Sequence, residues 1–165
     1  MINVGHVRST HWVYNLFMPL EYGSYGYYYS KILKTKSIRK LVTIFMIGYP
    51  LAGLVSTFTI FKFYHWNSYE AIAGSVFTVV FAVTYYYELF VSDEDFNLRT
   101  KSEFWIATGM IIFYSCLLPV LGTINHVTKI SLALALTFLD VLDCIDILMY
   151  LIFAYAFLCR IIIRK

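Results

Sequence analysis

Acidic side chains inside apolar stretches are the residues of this chain whose type and position best suit chemistry. Glu21 lies in the stretch VYNLFMPLEYGSYGYYYS, and Asp140, Asp143 and Asp146 lie in LTFLDVLDCIDILMY. A carboxylate costs free energy inside a bilayer, so acids at such positions commonly serve ion paths, proton relays or contacts between helices. Each of these four acids is therefore a candidate functional residue.

Glu21 is the candidate intramembrane functional acid. Counted from Lys31 as the inner anchor, it lies about ten residues, or roughly 15 Å, into the bilayer, and no Lys or Arg shares that depth. A lone carboxyl in lipid can be neutral, so Glu21 could relay a proton or donate a hydrogen bond to a neighbouring helix. The structural alternative is that tyrosine hydroxyls, or a backbone carbonyl freed near Pro19 or Pro50, satisfy it.

The three aspartates have the spacing D-x-x-D-x-x-D. On a helix this spacing puts Asp140, Asp143 and Asp146 on one side, within an arc of about 120°. Clustered carboxylates can hold a divalent cation, so the three residues are the candidate metal ligands. The second aspartate-rich motif of membrane prenyltransferases is missing, however. In the structural alternative, Asp140 and Asp143 mark the outer interface and Asp146 faces a polar bundle interior.

No other pattern predicts a cofactor or a catalytic residue. A transmembrane haem needs histidines within its helices, and the four histidines fall outside the apolar cores. Neither G-x-S-x-G nor a glycine-rich phosphate loop occurs, and the three cysteines form no C-x-x-C pair. We therefore predict no cofactor, and we interpret Glu70 and Glu88 as residues at the two ends of one span.

The elements that position these acids are membrane helices. The 165 residues are 60% hydrophobic and 14% charged, whereas an average soluble domain is about 45–50% apolar and about 25% charged. About 20 apolar residues cross a bilayer, so the apolar runs predict an all-α polytopic bundle of about five transmembrane helices in a single domain. The predicted spans are 13–30, 41–61, 69–91, 104–124 and 141–160.

Two further features of the apolar runs bear on packing. The last run is too long for one crossing, so we expect 130–139 to form an extension, a bent helix or an interfacial piece, preceded by a short connection, NHVTK. Small residues such as Gly48, Gly53, Gly74 and Gly109 suit the close approach of helices in membranes.

The basic residues predict the orientation. With five spans, one side carries ten Lys and Arg residues and the other carries three, Arg8, Lys62 and Lys129. The positive-inside rule then puts the C-terminus in the cytoplasm and the N-terminus outside. If the first segment only lies in the interface, four spans remain and both ends are cytoplasmic. The net charge of +3 is too small to indicate a nucleic-acid partner.

The order of several short motifs resembles a group of known proteins. HWVYNLFMPLEY is followed by a basic loop, a span ending YYYELF, SEFWIATGMIIFYS and ILMYLIFAYAFLC. This order is similar to that of small, uncharacterised multi-pass membrane proteins of bacteria. The resemblance covers most of the chain from about His11, and it implies the fold and a cell inner membrane. It brings no known activity.

The sequence predicts a non-enzymatic function. We expect a small integral membrane protein that senses or couples through a partner membrane or cytoplasmic protein, or through its own homo-oligomer, in contact with membrane lipids. The first alternative is an oligomeric channel or proton-coupled transporter, whose path Glu21 and Asp146 would line. The second is a lipid-modifying enzyme that uses Asp140, Asp143 and Asp146.

Overall fold

All regular structure in the described part of the chain is helical. The computed structural model of the protein describes residues 11–59, 68–92 and 98–163. Its helices are α1 (His11–Ile32), α2 (Lys36–Thr59), α3 (Ser68–Val91), α4 (Ser102–Ile130) and α5 (Leu132–Ile163), with one 3₁₀ turn at Leu98–Thr100. The predicted all-α fold is confirmed.

Four of the five helices are long and apolar enough to cross a membrane. These segments are Lys36–Ser56, Tyr69–Val91, Ser102–Ile130 and Leu132–Cys159, one in each of α2 to α5. The predicted character of a multi-pass membrane protein is therefore supported by length and composition. Helix α1, which contains the Tyr-rich first segment, is not among the four.

The chain divides into two compact units, Met1–Gly74 and Ser75–Lys165. The first unit contains α1, α2 and the first turns of α3. The second contains the rest of α3, α4 and α5. That the two units act as one transmembrane domain stays a prediction.

In the first unit, α1 and α2 form a close antiparallel pair. Only Leu33, Lys34 and Thr35 connect them. A Cβ atom built on Gly26 would lie 3.1 Å from the Cα atom of Met46, and one built on Gly23 would lie 2.9 Å from Cγ of Pro50. The two glycines thus let the backbones approach, as small residues do in membrane helices. Because the two contacts follow one another along both helices, α1 runs beside α2 over much of the length of α1.

In the second unit, α4 and α5 form a long hairpin with a single residue between them. The backbone of Ser131 is extended, its N–H donates to the carbonyl of Val127 (2.9 Å), and its Oγ accepts from the N–H of Leu134 (3.3 Å). Ser131 therefore closes one helix and caps the next. The expected connection NHVTK lies inside α4. Of the segment 130–139, Ile130 ends α4, Ser131 is the break, and the rest is the first part of α5 and not a separate piece.

The hairpin is held by one face of α5. Four buried residues of α5 recur every seven positions, at Ala135, Leu142, Met149 and Ala156, and Cys159 nearer its end is also buried. Such a repeat forms one stripe along a helix that packs on its partner. In α4, a Cβ atom on Gly109 would lie 3.1 Å from Phe153 Cε1, and the rings of Trp105 and Tyr155 meet edge to face. The face of α5 opposite this stripe is therefore turned away from α4.

A tyrosine of α3 joins this helix to α4 within the second unit. The hydroxyl of Tyr86 shares a hydrogen bond of 2.5 Å with Thr108 Oγ1, and the Tyr86 and Phe104 ring centroids are 5.4 Å apart. The middle tyrosine of YYYELF thus serves a packing role, while Tyr87 beside it is exposed.

Candidate functional site

A buried group of polar and aromatic side chains lies in the first unit, where α1 and α2 meet the first turns of α3. It consists of Tyr22 on α1, Tyr49 and Gly53 on α2, and Glu70 on α3, and we call it the Glu70 cluster. The side chain of Glu70 is 7% exposed and that of Tyr22 is 3% exposed. Glu70 is more deeply buried than Glu21, the other acid of this unit, which is only half-buried.

Glycine makes room for the carboxylate of Glu70. A Cβ atom built on Gly53 would overlap Glu70 Oε1, and it would lie 3.0 Å from Cγ of Pro19. Glu70 is also in the first turn of α3, where the positive end of the helix dipole favours negative charge. Any larger residue at position 53 would occupy the space that the carboxylate fills.

Two tyrosine hydroxyls attach the start of α3 to the other two helices. Tyr49 donates to the carbonyl oxygen of Glu70 (2.8 Å), and Tyr22 donates to that of Ala71 (3.2 Å). The Tyr22 and Tyr49 rings meet edge to face with centroids 5.4 Å apart. The Tyr22 ring also lies on Gly74, where a Cβ atom would be 2.5 Å from Cδ2. The arrangement fixes the first turns of α3 against α1 and α2, and its one carboxylate can bind a proton.

The burial of Glu70 is the feature that sequence reasoning missed. Its position at the start of an apolar run suggested a boundary residue, but the side chain turns inward against α2. The available signal is Gly53 and Gly74, two glycines in apolar runs, for which the sequence predicts only a role in helix packing. The same prediction covers Gly48, yet a Cβ atom there would meet no atom within 4 Å.

Glu21 lies at the midpoint of α1 and is half-buried. The hydroxyl of Tyr25 donates to its Oε1 at 2.8 Å, and Ser24 Oγ donates to its backbone carbonyl at 2.6 Å. A tyrosine contact of this kind is what the structural interpretation of Glu21 expects. Its role as a functional intramembrane acid stays a prediction.

Asp140 and Asp143 lie on the outer side of α5, and Asp146 lies nearer its buried stripe; we call the side that carries the three aspartates the acidic face. At 3.6 residues per turn, Asp140 points about 180° away from Met149, Asp143 about 120° and Asp146 about 60°. Accordingly, Asp140 and Asp143 are exposed and Asp146 is half-buried. Within the described ranges, no hydrogen-bond or ion-pair partner contacts any of the three carboxylates.

The aspartates do not form an assembled metal site with other residues. Over residues 11–59, 68–92 and 98–163, no group of three or more His, Cys, Asp or Glu side chains is arranged to hold a metal ion. Asp140 and Asp146 are separated by about 9 Å along the helix axis and about 120° around it, so the three side chains do not converge on one point. Binding of a divalent cation at Asp140, Asp143 and Asp146 stays a hypothesis that rests on the sequence spacing.

The resemblance to small multi-pass bacterial membrane proteins rests on short apolar motifs, and it also stays a prediction. The function must therefore be argued from the geometry of α1, α2 and α5. No family model matches this chain, and neither a curated protein nor a solved structure does.

Proposed function

We propose that this protein is a small, non-enzymatic integral membrane module that senses or couples through a partner membrane protein. The observation that carries the proposal is the acidic face of α5, whose two exposed carboxylates, Asp140 and Asp143, point away from α4 within an apolar span. A second version of the same function, in which the module acts through its own oligomer, gives a different result in the experiments below.

The acidic face is unfavourable as a surface toward lipid. The candidate span Leu132–Cys159 has its midpoint beside Asp146, and the exposed neighbours Ile147 and Leu151 are aliphatic. One aspartate at the centre of a membrane helix costs about 2.5–3.5 kcal/mol on insertion scales. A protein group that covers the face and pairs with the carboxylates would offset this cost, so the face favours contact with another helix.

A basic helix of another protein fits this face better than a second copy does. Acids within membranes pair with basic side chains or with one another. No Lys or Arg of this chain occurs from 130 to 159. A second copy therefore brings no Lys or Arg to the depth of Asp143. We propose a partner helix with a Lys or Arg near its midpoint.

The outward direction of the acids also favours coupling over catalysis. Catalytic groups act on a substrate when several of them surround it in a fixed geometry. The two exposed aspartates, Asp140 and Asp143, instead lie on the outer side of one helix, about 60° apart around its axis. Such a surface suits the side-by-side packing of two helices.

We propose five crossings, with the N-terminus outside and the C-terminus in the cytoplasm of a bacterial cell, in its inner membrane. Helix α2 is one of the four candidate spans, and α1 packs antiparallel beside it through Gly23 and Gly26. A helix that runs beside a span over such a length reaches the same depth. Lys31 and Lys36 lie at the joined ends of the two helices, which the positive-inside rule puts in the cytoplasm.

Cys144 offers a direct test of contact at the acidic face. It is exposed, directly follows Asp143, and remains the single thiol when Cys116 and Cys159 are changed to Ser. We expect a thiol-specific photo-crosslinker on Cys144 to join the protein, in its native membrane, to one other membrane protein. Mass spectrometry of the product identifies that protein and its helix.

The matched control is Val80→Cys in a chain whose own three cysteines are Ser. Val80 is exposed near the middle of α3, so it measures random encounters in the bilayer. Products equal in amount from positions 144 and 80 would contradict the proposal. A product of twice the chain's mass would replace the partner by a second copy.

The half-buried acid of α1 favours one alternative, an oligomeric channel or proton-coupled transporter. Glu21 lies at the midpoint of α1 and keeps part of its surface accessible. If this function holds, purified protein in vesicles will pass protons or ions, and Glu21→Gln will abolish the flux. Tyr25→Phe, which removes the donor to Glu21 but keeps the carboxylate, is the control and should retain most of it. Vesicles that stay ion-tight with the unmodified protein would exclude the alternative.

A further inference from the structure

The start of α2 carries basic and aliphatic side chains on one helix face. Lys36, Lys40, Ile44, Ile47 and Leu51 follow the spacing i, i+4, i+8, i+11, i+15, which places them on a single side. All five side chains are exposed in the structure. The face therefore begins with two ammonium groups and continues as an aliphatic strip toward the middle of the bilayer.

Two further cations flank this face. Arg39 is exposed about 60° around the helix from Lys36, and Lys31 lies in the last turn of α1, which a connection of three residues joins to α2. The ammonium of Lys31 is 5.2 Å from the ring centroid of Tyr27, a cation–π contact that holds it near the membrane interface. With Lys34 in the connection, five cations thus gather at one end of the α1–α2 pair.

The acids of this unit are too distant to neutralise these cations. Residues 1–74 contain two acids, Glu21 and Glu70. Glu21 lies about 15 Å along α1 from Lys31, and the Glu70 carboxylate lies beside Gly53, about 25 Å along α2 from Lys36. Both distances are far beyond the N···O separation of about 4 Å at which an ion pair forms. Neither Lys36, Arg39 nor Lys40 has an ion-pair partner among the side chains that the structure describes.

We infer that this face of α2 binds an anionic phospholipid, with its phosphate on Lys36 and Lys40 and an acyl chain along Ile44, Ile47 and Leu51. Arg39 and Lys31 add charge around the headgroup. Lysine suits this position because its stem lies along apolar surface while its ammonium reaches the headgroup layer. The continuous aliphatic strip below the cations favours a lipid over an acidic protein segment, which would use the charges alone. The inference does not depend on the partner proposed for α5.

The test compares lipid binding by variants of the purified full-length protein. Native mass spectrometry from a neutral detergent, with phosphatidylglycerol and phosphatidylcholine added in equal amounts, gives the ratio of the two bound lipids. We expect the unmodified protein to favour phosphatidylglycerol, and we expect Lys36→Gln with Lys40→Gln to reduce the preference by about fivefold for each lysine removed. Lys36→Arg with Lys40→Arg keeps the charge and should keep the preference.

Two controls separate a binding site from a general effect of positive charge. Lys129→Gln removes an exposed lysine near the end of α4 and should leave the preference unchanged. Ile47→Asn keeps the cations but interrupts the aliphatic strip, so it should weaken the binding of both lipids. Equal losses in Lys129→Gln and in the double Gln variant would overturn the inference.

The source of the phosphate is tested with the unmodified protein. Inorganic phosphate or a polyglutamate peptide should not displace phosphatidylglycerol, because neither has an acyl chain. Displacement by either one would overturn the lipid assignment. If the double Gln variant does not insert normally, the inference is tested by the salt dependence of the phosphatidylglycerol preference of the unmodified protein. The preference should fall strongly near 1 M salt, where the Debye length is about 3 Å, and a constant preference would overturn the inference.

Discussion

Replacing Gly74 by Ala should destabilise the first unit. The new Cβ atom would lie 2.5–2.6 Å from three carbons of the Tyr22 ring. That ring cannot easily move, because its hydroxyl donates to Ala71 and its edge contacts Tyr49. We expect the free energy of unfolding to fall by about 1–3 kcal/mol, the usual cost of overpacking, although Ala is the better helix former. Unfolding by SDS in mixed micelles, followed by helical circular dichroism, measures the change.

The same exchange at Gly48 is the matched control. A Cβ atom on Gly48 would meet no atom within 4 Å, so Gly48→Ala should stabilise α2 by up to about 1 kcal/mol through helix propensity alone. In a Tyr22→Leu background the ring is absent, and Gly74→Ala should then cost much less. Two results would show that the Tyr22 contact does not hold α3 in place. One is a loss of unfolding free energy from Gly74→Ala that persists in the Tyr22→Leu background, and the other is a change from Gly74→Ala equal to that from Gly48→Ala.

The helices of this protein were largely predictable because a bilayer imposes a minimum length on apolar runs. The predicted spans 69–91, 104–124 and 141–160 lie within α3, α4 and α5. The boundary between α4 and α5 was not predictable in the same way. Asn125, His126 and Lys129 suggested a loop, but polar residues can remain helical at the end of a long hairpin. The single break is at Ser131, whose side chain caps α5.

The candidate site was less predictable, since burial of an acid depends on other helices. The position of Glu70 in α3 was evident from the sequence, but its contact with Gly53 requires α2 to pack at one particular level. For Glu21, counting from Lys31 gave the correct place at the middle of α1, while Tyr25 as its hydrogen-bond donor was one option among several tyrosines.

For the acidic face, the residue spacing and the packing of α5 determine different parts of where the aspartates point. The spacing of Asp140, Asp143 and Asp146 was enough to place them on one side of α5. Whether that side faced inward depended on the stripe from Ala135 to Ala156, which contacts α4 and turns Asp140 outward. A buried stripe that includes two Ala residues is hard to recognise in a helix that is apolar all round.

Replacing Asp143 by Asn should weaken the binding of the partner helix by at least about 30-fold. Removal of one member of a buried charge pair costs about 2 kcal/mol or more, because the remaining base is left without its counter-charge. Asn keeps the size and polarity of Asp and removes only the charge, so the helix α5 itself should be unaffected. The measurement is energy transfer between the labelled protein and the partner identified through Cys144, titrated in vesicles.

The same variant distinguishes a basic partner from a second copy. Two carboxyl groups that share a proton across a pair of identical helices can be replaced by two Asn side chains, which also donate and accept hydrogen bonds. Self-association should therefore survive Asp143→Asn and fail in Asp143→Leu, whereas pairing with a Lys or Arg should fail in both. Asp140 is the internal control, since it lies about 60° further from the α4 contact and about 5 Å nearer the end of the span. If Asp140→Asn weakens binding as much as Asp143→Asn does, the charge acts at long range and the two helices do not pair at Asp143.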